Sequence, residues 1–216
     1  MIKAEYGPTL PQLLAVRSLA VRVGAVVLAG AVVLAAIVGV VLSRPDETAL
    51  LVREPVTFNF AYGPQFTRLH APGTLVSLRN ERNGLFLDAY RIRELKLPPY
   101  RGAVGGLLPV YATHYLRTLG ARYPGFQFVG EGRARINNAI GYEVTFNSRI
   151  GSRRLYVRHY LLVPDDPDGV REGVILELES TPAAGTPNAA EIGSHGALKM
   201  ALRSFRFGTD RSGGTA

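Results

Sequence analysis

A run of twenty residues without a single charge, "VGAVVLAGAVVLAAIVGVVL" at 23–42, constrains this chain more than any other feature. At ~1.5 Å rise per residue a helix of that length covers roughly 30 Å, the thickness of a bilayer's hydrocarbon core. A cleaved leader would instead carry an apolar stretch of about 7 to 15 residues before a small-residue cleavage site. Here the run is longer, it ends in "SRPDE", and Ala35-Ala36 lies too deep within it to be cut. The sequence therefore predicts a transmembrane helix acting as an uncleaved signal anchor, and the absence of cysteine removes a lipid-modified alternative.

Lys3, Arg17 and Arg22 precede the run, while Arg44 and Arg53 follow it. That bias places the N-terminus on the cytoplasmic side. One N-terminal span before a large C-terminal domain is also the ordinary plan of an exported, tethered domain. The expected organisation is a cytoplasmic tail at 1–22, the transmembrane helix at 23–42, a linker at 43–55, an extracytoplasmic domain at 56–208 and a disordered C-terminal tail at 209–216. Within the span Ala31, Ala35 and Gly39 line one helix face with small side chains, a pattern that supports a weak helix-mediated dimer.

With no cysteine, the outer domain has no disulfide framework and must rely on its own core. Of the 25 Lys and Arg and 17 Asp and Glu residues, four basic and three acidic ones precede Leu50, leaving 21 against 14 beyond it, a net +7. Such a surplus favours an anionic lipid surface, a wall polymer or an acidic protein as partner. Because 22 of the 25 basic residues are Arg, amid abundant Ala, Gly and Val, the surplus also fits the composition bias of a GC-rich bacterial genome.

Periodicity assigns the domain to the α+β class. "VTFNFAY" at 56–62 reads as a strand, and "GPQFTRLHAPG" as a loop or short edge piece. Strands at 74–80 and 85–95 flank Asn83-Gly84, a favourable hairpin turn. "KLPPYRG" is irregular. Leu108, Tyr111, Tyr115, Leu116 and Leu119 then recur at helical spacing, with Pro109 expected in the first turn and Gly120 or Pro124-Gly125 as the stop. Strands at 126–136, 140–148, 154–164 and 172–180 follow, joined by connections too short for parallel crossovers, so they form an antiparallel meander. A helix running to about Phe205 closes the domain.

Chemistry-bearing motifs are sparse. His70, His114, His159 and His195 have no metal-ligand spacing, and "DDPDG" lacks the alternating acidic positions of a calcium loop, so no metal site is expected. There is no GxSxG elbow and no thiol. "GAVGG" precedes a helix but lacks the Lys-Ser/Thr ending of a phosphate-binding loop. No cofactor and no nucleic-acid partner are expected. Parity along extended strands puts Arg154, Tyr156, Arg158 and Tyr160 on one face, and predicts a cross-strand ladder of Arg154, Arg158, Glu143, Glu177 and Glu179 on a solvated face. Arg133, Arg135 and Arg153 are then left with fewer obvious partners and are the candidates for contact with an anionic ligand.

"GRARINNAIGYEVTFNS", "RRLYVRHYLLVP", "GVILELES" and the closing "LKMALRSFRF" together resemble a PsbP-like domain, the group that includes the PsbP proteins of photosystem II and the LpqN-type lipoproteins. The resemblance covers roughly residues 56–207. It implies an α/β/α sandwich with an antiparallel sheet, used for binding or assembly without chemistry. Two departures stand out: "YGPQFTRLHAPG" replaces the family's P-x-G-W segment, and a membrane anchor replaces a lipidated cysteine. No functional residue carries over. The leading expectation is a membrane-anchored, extracytoplasmic, non-catalytic binding or assembly module with a protein partner at the membrane. A binder of anionic lipid or wall polymer through Arg-rich strands comes second, and a hydrolase of unknown type third.

Overall fold

The computed structural model describes residues 47–165 and 171–209, together with Leu28, Gly30 and Val32, which are helical. The remainder of the segment read as an anchor, and the 210–216 part of the expected tail, lie outside the described residues. Among the described residues no helix is long and apolar enough to cross a membrane. The chain divides into two units, Met1–Pro45 and Asp46–Ala216, and the second holds the architecture that follows.

Its centre is a seven-stranded antiparallel sheet. β3 (Thr67–Leu69), β4 (Val76–Arg82) and β5 (Leu85–Lys96) form one side; β6 (Gln127–Ile136), β7 (Ala139–Ile150), β8 (Arg153–Pro164) and β9 (Glu172–Ser180) form the other. The order is β3-β4-β5-β9-β8-β7-β6, so the meander returns to lay β9 against β5, and β6 is left as an edge. The turns that set these registers are those the sequence shows. Asn83 and Gly84 have φ of 52° and 72°, the left-handed pair that a two-residue hairpin needs. Asn137 has φ of 51° between β6 and β7.

Helix α1 (Val104–Arg122) covers one face. Leu107, Leu108, Ala112, Tyr115 and Leu119 turn inward and meet Val144, Phe146, Val157 and Leu161 of the sheet. The helix starts earlier than its apolar pattern indicates, so Pro109 lies inside it and not in its first turn. It also runs through Gly120 and ends before Pro124, whose ring disfavours the helical region at the preceding Tyr123.

The opposite face is where the expected α/β/α sandwich needs correcting. Its cover is a mixed layer, built from a three-stranded sheet of β1 (Thr48–Val52), β2 (Phe58–Tyr62) and β10 (Arg206–Phe207) with a short helix α2 (Leu198–Ser204). Phe58, Phe60, Leu198, Leu202 and Phe205 pack there on Tyr90, Leu162, Leu176 and Leu178. Fully burying a side chain such as Phe58 or Phe205 stabilises by about 1.5 to 3 kcal/mol. β1 falls inside the expected linker, and the expected helix to Phe205 is reduced to α2, a 3₁₀ turn at Ala189–Glu191 and β10. Asn137 and Asn138 tie this end down. The Asn137 amide donates to the carbonyls of Arg203 and Phe205, and Asn138 both donates to and accepts from the Phe207 backbone.

Candidate functional site

Because both faces of the large sheet are covered, strand parity decides which layer a side chain meets, not whether it meets solvent. The predicted charge ladder is accordingly split. Arg158 pairs with Glu143 at 2.5 Å on the α2 side. Its remaining donors reach the carbonyls of Ala190 and Ile192, so this guanidinium is a strut for the loop over the sheet. Glu177 and Glu179 point the other way, beneath α1, where they are 1% and 5% exposed.

Beneath α1 lies a polar array whose carboxylates and imidazole are buried and whose guanidinium groups reach the surface. Arg91 donates to Glu179 Oε1 at 2.6 Å, Arg122 to Glu177 Oε1 at 3.0 Å, and Arg93 stands 3.7 Å from the same Glu177 oxygen. Three guanidinium groups thus hold two carboxylates that could not be buried unpaired. His159, fully buried, sits between two tyrosines, with Nδ1 2.8 Å from the Tyr115 hydroxyl and Nε2 3.2 Å from that of Tyr123. The Tyr123 hydroxyl donates to Glu179 at 3.0 Å, so it receives its own hydrogen bond from Nε2–H. Nδ1 then carries the lone pair and accepts from Tyr115. One neutral tautomer satisfies every group.

Burial drives the imidazole's pKa down to about 3, with the surrounding Arg122, Arg91 and Arg93 opposing its charge and Glu179 favouring it. Burial likewise raises both tyrosine hydroxyls well above the ordinary range. An enclosed, fully bonded imidazole cannot reach a substrate, so this array locks α1 to the sheet. Among the described residues no group of three or more His, Cys, Asp or Glu side chains is placed to hold a metal ion.

The exposed arginines are the remaining candidates, and they do not form one group. Arg133 and Arg135 lie on edge strand β6, opposite Tyr142 and Ile140. Arg135 has a partner after all, an ion pair with Asp165. It rims an open cleft of about 520 Å³ shared with Asn137, Arg158, Tyr160, Leu202 and Arg203. Arg153 lies at the far end of the sheet, in the β7–β8 hairpin, opposite Ile150.

That hairpin brings Arg149, Arg153 and Arg154 together at one end of β7 and β8. Arg149 stands directly opposite Arg154, and Arg153 is next to it, with Gly151-Ser152 as the turn and φ of 61° at Gly151. All three arginines are exposed, and among the described residues none forms an ion pair. Like charges directly opposed across a strand pair are destabilising. Arg149 and Arg154 line a shallow groove of about 290 Å³ with Gln127, Asn147, Ser148 and Ser152, a lining rich in donors. The signal was present in "SRIGSRR": a two-residue turn at Gly151-Ser152 places Arg149 against Arg154. Assigning Arg154 to the ladder concealed it.

No known protein family matches this sequence, and no curated protein does. Solved structures do resemble the fold. The solution structure of cyanobacterial PsbP from Synechocystis sp. PCC 6803 matches with a TM-score of 0.50 at 8% identity, covering 76% of this chain and 94% of that one. The crystal structure of LpqN, involved in cell envelope biogenesis of Mycobacterium tuberculosis, gives a TM-score of 0.50 at 12% identity, covering 77% and 93%. The Ran-binding protein Mog1p of Saccharomyces cerevisiae gives 0.47 at 8% identity, covering 75% and 95%. At such identities the first two likenesses establish a PsbP-like α+β fold and nothing about ligands.

Proposed function

We propose that this chain is a membrane-anchored binding module, with the Asp46–Ala216 unit on the extracytoplasmic side and an anionic partner held at the β7–β8 hairpin. The observation that carries the reading is the opposed and exposed pair Arg149 and Arg154, neither of which has an ion-pair partner among the described residues. A fold gains nothing from facing two guanidinium groups across a ladder; a ligand with several negative oxygens turns that cost into binding energy. The groove alongside adds amide and hydroxyl groups from Gln127, Asn147 and Ser152, which suit phosphate or carboxylate oxygens. The chain's charge of +8 supports an anionic partner.

The anchor reading rests on the uncharged run at 23–42, and an envelope location agrees with LpqN, a protein of like fold whose role is in envelope biogenesis. The reading is non-catalytic because the one deeply buried histidine is consumed in holding α1.

The test uses residues 46–216 with vesicles of anionic or purely zwitterionic lipid. Sedimentation with anionic vesicles alone, lost at about 0.5 M salt as screening sets in, is expected. Arg149→Glu with Arg154→Glu should abolish it, and a soluble phosphate-rich wall polymer should compete. Binding that survives both salt and charge reversal would sink the proposal. For the anchor, protease added to intact cells or spheroplasts should digest the domain beyond Pro45; full protection would reverse the orientation.

A further inference from the structure

Strand β6 is an open edge of the seven-stranded sheet, ten residues long and exposed along much of its length. Its hairpin with β7 closes through Asn137-Asn138, so Ile136 and Ala139 form the hydrogen-bonded pair next to the turn. Alternation from that pair directs the backbone groups of Ala134 and Gly132 toward β7. Those of Arg135, Arg133 and Glu131 point outward, where no strand among the described residues receives them.

We infer that two copies of this chain associate by pairing their β6 edges antiparallel about a twofold axis at Gly132. In that register Glu131 of each copy faces the partner's Arg133, and the two residues expose backbone groups in the phase needed to hydrogen-bond to each other. Two symmetric ion pairs and about four backbone hydrogen bonds form together. Within their own chain, and among the described residues, neither Glu131 nor Arg133 has an ion-pair partner.

Charged residues often guard sheet edges by repelling a second strand. Here the signs alternate about the midpoint, so self-pairing brings opposite charges together. Glycine at the axis fits the same arrangement. A Cβ at Gly130 or Gly132 would meet nothing within 4 Å, and neither residue has a positive φ, so the isolated domain has no need of glycine at either place. At the axis, Gly132 faces its own copy across a non-hydrogen-bonded pair, the closest approach an antiparallel ladder makes. Beyond it, Phe128 and Val129, 51% and 50% exposed at the β6 bulge, gain cover from the partner's Ile136 and Arg135 region.

The chain contains no cysteine, which makes the test direct. Gly132→Cys in the full-length protein, in detergent micelles under mild oxidation, should yield an interchain disulfide, whereas Ser152→Cys, in the β7–β8 turn, should not. Adding Glu131→Arg or Arg133→Glu singly to Gly132→Cys should weaken dimerisation roughly tenfold, and combining the two reversals should restore it. Arg133→Pro, which removes an outward N–H and no bond to β7, should also abolish the crosslink. Absence of a Gly132→Cys crosslink would overturn the inference. So would crosslinking indifferent to charge reversal, which would assign the proximity to the apolar N-terminal segments.

Discussion

His159 offers a quantitative check on the packing of α1. The imidazole is neutral and fully enclosed, with its pKa lowered to about 3 by burial, whereas in the unfolded chain it titrates near 6.5. Between those values only the unfolded state takes up a proton, so stability is complete above pH 6.5 and falls as the pH drops toward 3. Linkage puts the loss from this residue at about 2 kcal/mol between pH 7.5 and pH 5. For a domain of this size that corresponds to roughly 4 to 8 °C in Tm.

The perturbation is His159→Gln, which keeps a donor and an acceptor in a similar volume but cannot titrate. At pH 7.5 the variant should be less stable by roughly 1 to 3 kcal/mol, since an amide cannot reproduce both tyrosine contacts. Its stability should then fall about 2 kcal/mol less than wild type on going to pH 5. Thermal unfolding followed by tyrosine fluorescence suits a chain with ten tyrosines and no tryptophan. Carboxylates titrate alike in both proteins, so their contribution cancels in the difference. Parallel pH profiles for the two proteins would refute the buried neutral histidine.

The meander was legible because its turns are local. Asn83-Gly84, Asn137-Asn138 and Gly151-Ser152 each specify a hairpin from two residues, and the β-branched runs between them have no competing period. What the sequence withheld depends on distant partners. Arg206-Phe207 is too short to show any alternation, and is a strand only because Asn59 and Phe58 lie opposite it. Thr48–Val52 is the outer strand of the same small sheet, with exposed positions that read as linker.

Glu177 and Glu179 misled for a related reason. Alternation with Leu176 and Leu178 marks them as facing away from the apolar side, and a one-sided sheet would expose them. Here that second side carries α1, and Arg91, Arg93 and Arg122 arrive from elements remote in sequence to neutralise them. Of the candidate arginines, Arg135 is occupied by Asp165, Arg133 belongs to the free β6 edge, and Arg153 lies in a hairpin whose facing pair, Arg149 and Arg154, follows from the two-residue turn in "SRIGSRR".

Backbone approach separates the glycines sharply. Gly173→Ala should destabilise by more than about 3 kcal/mol or prevent folding, since its Cβ would lie 2.0 Å from the Leu162 carbonyl oxygen, a group fixed in the ladder. Gly132→Ala, with open space around it, should leave the Tm of the monomer within about 2 °C, and a comparable loss in both variants would contradict the register of β8 and β9. Arg149→Ala should leave stability unchanged or raise it by about 0.5 kcal/mol, because it relieves the repulsion with Arg154. A marked loss of Tm would show that Arg149 holds the hairpin together. At Asn137 the backbone and side-chain effects can be pulled apart. Asn137→Gly retains the left-handed backbone and loses the bonds to the Arg203 and Phe205 carbonyls; Asn137→Ala loses the bonds and adds strain at φ of 51°. The glycine variant should cost about 1 to 2 kcal/mol and the alanine variant roughly 1 kcal/mol more, read from the two Tm values. If the glycine variant is as stable as wild type, the Asn137 amide contacts contribute nothing, and the C-terminal strand is held by its pairing with β2, the Asn138 bonds to Phe207 and the packing of Phe205 and Phe207.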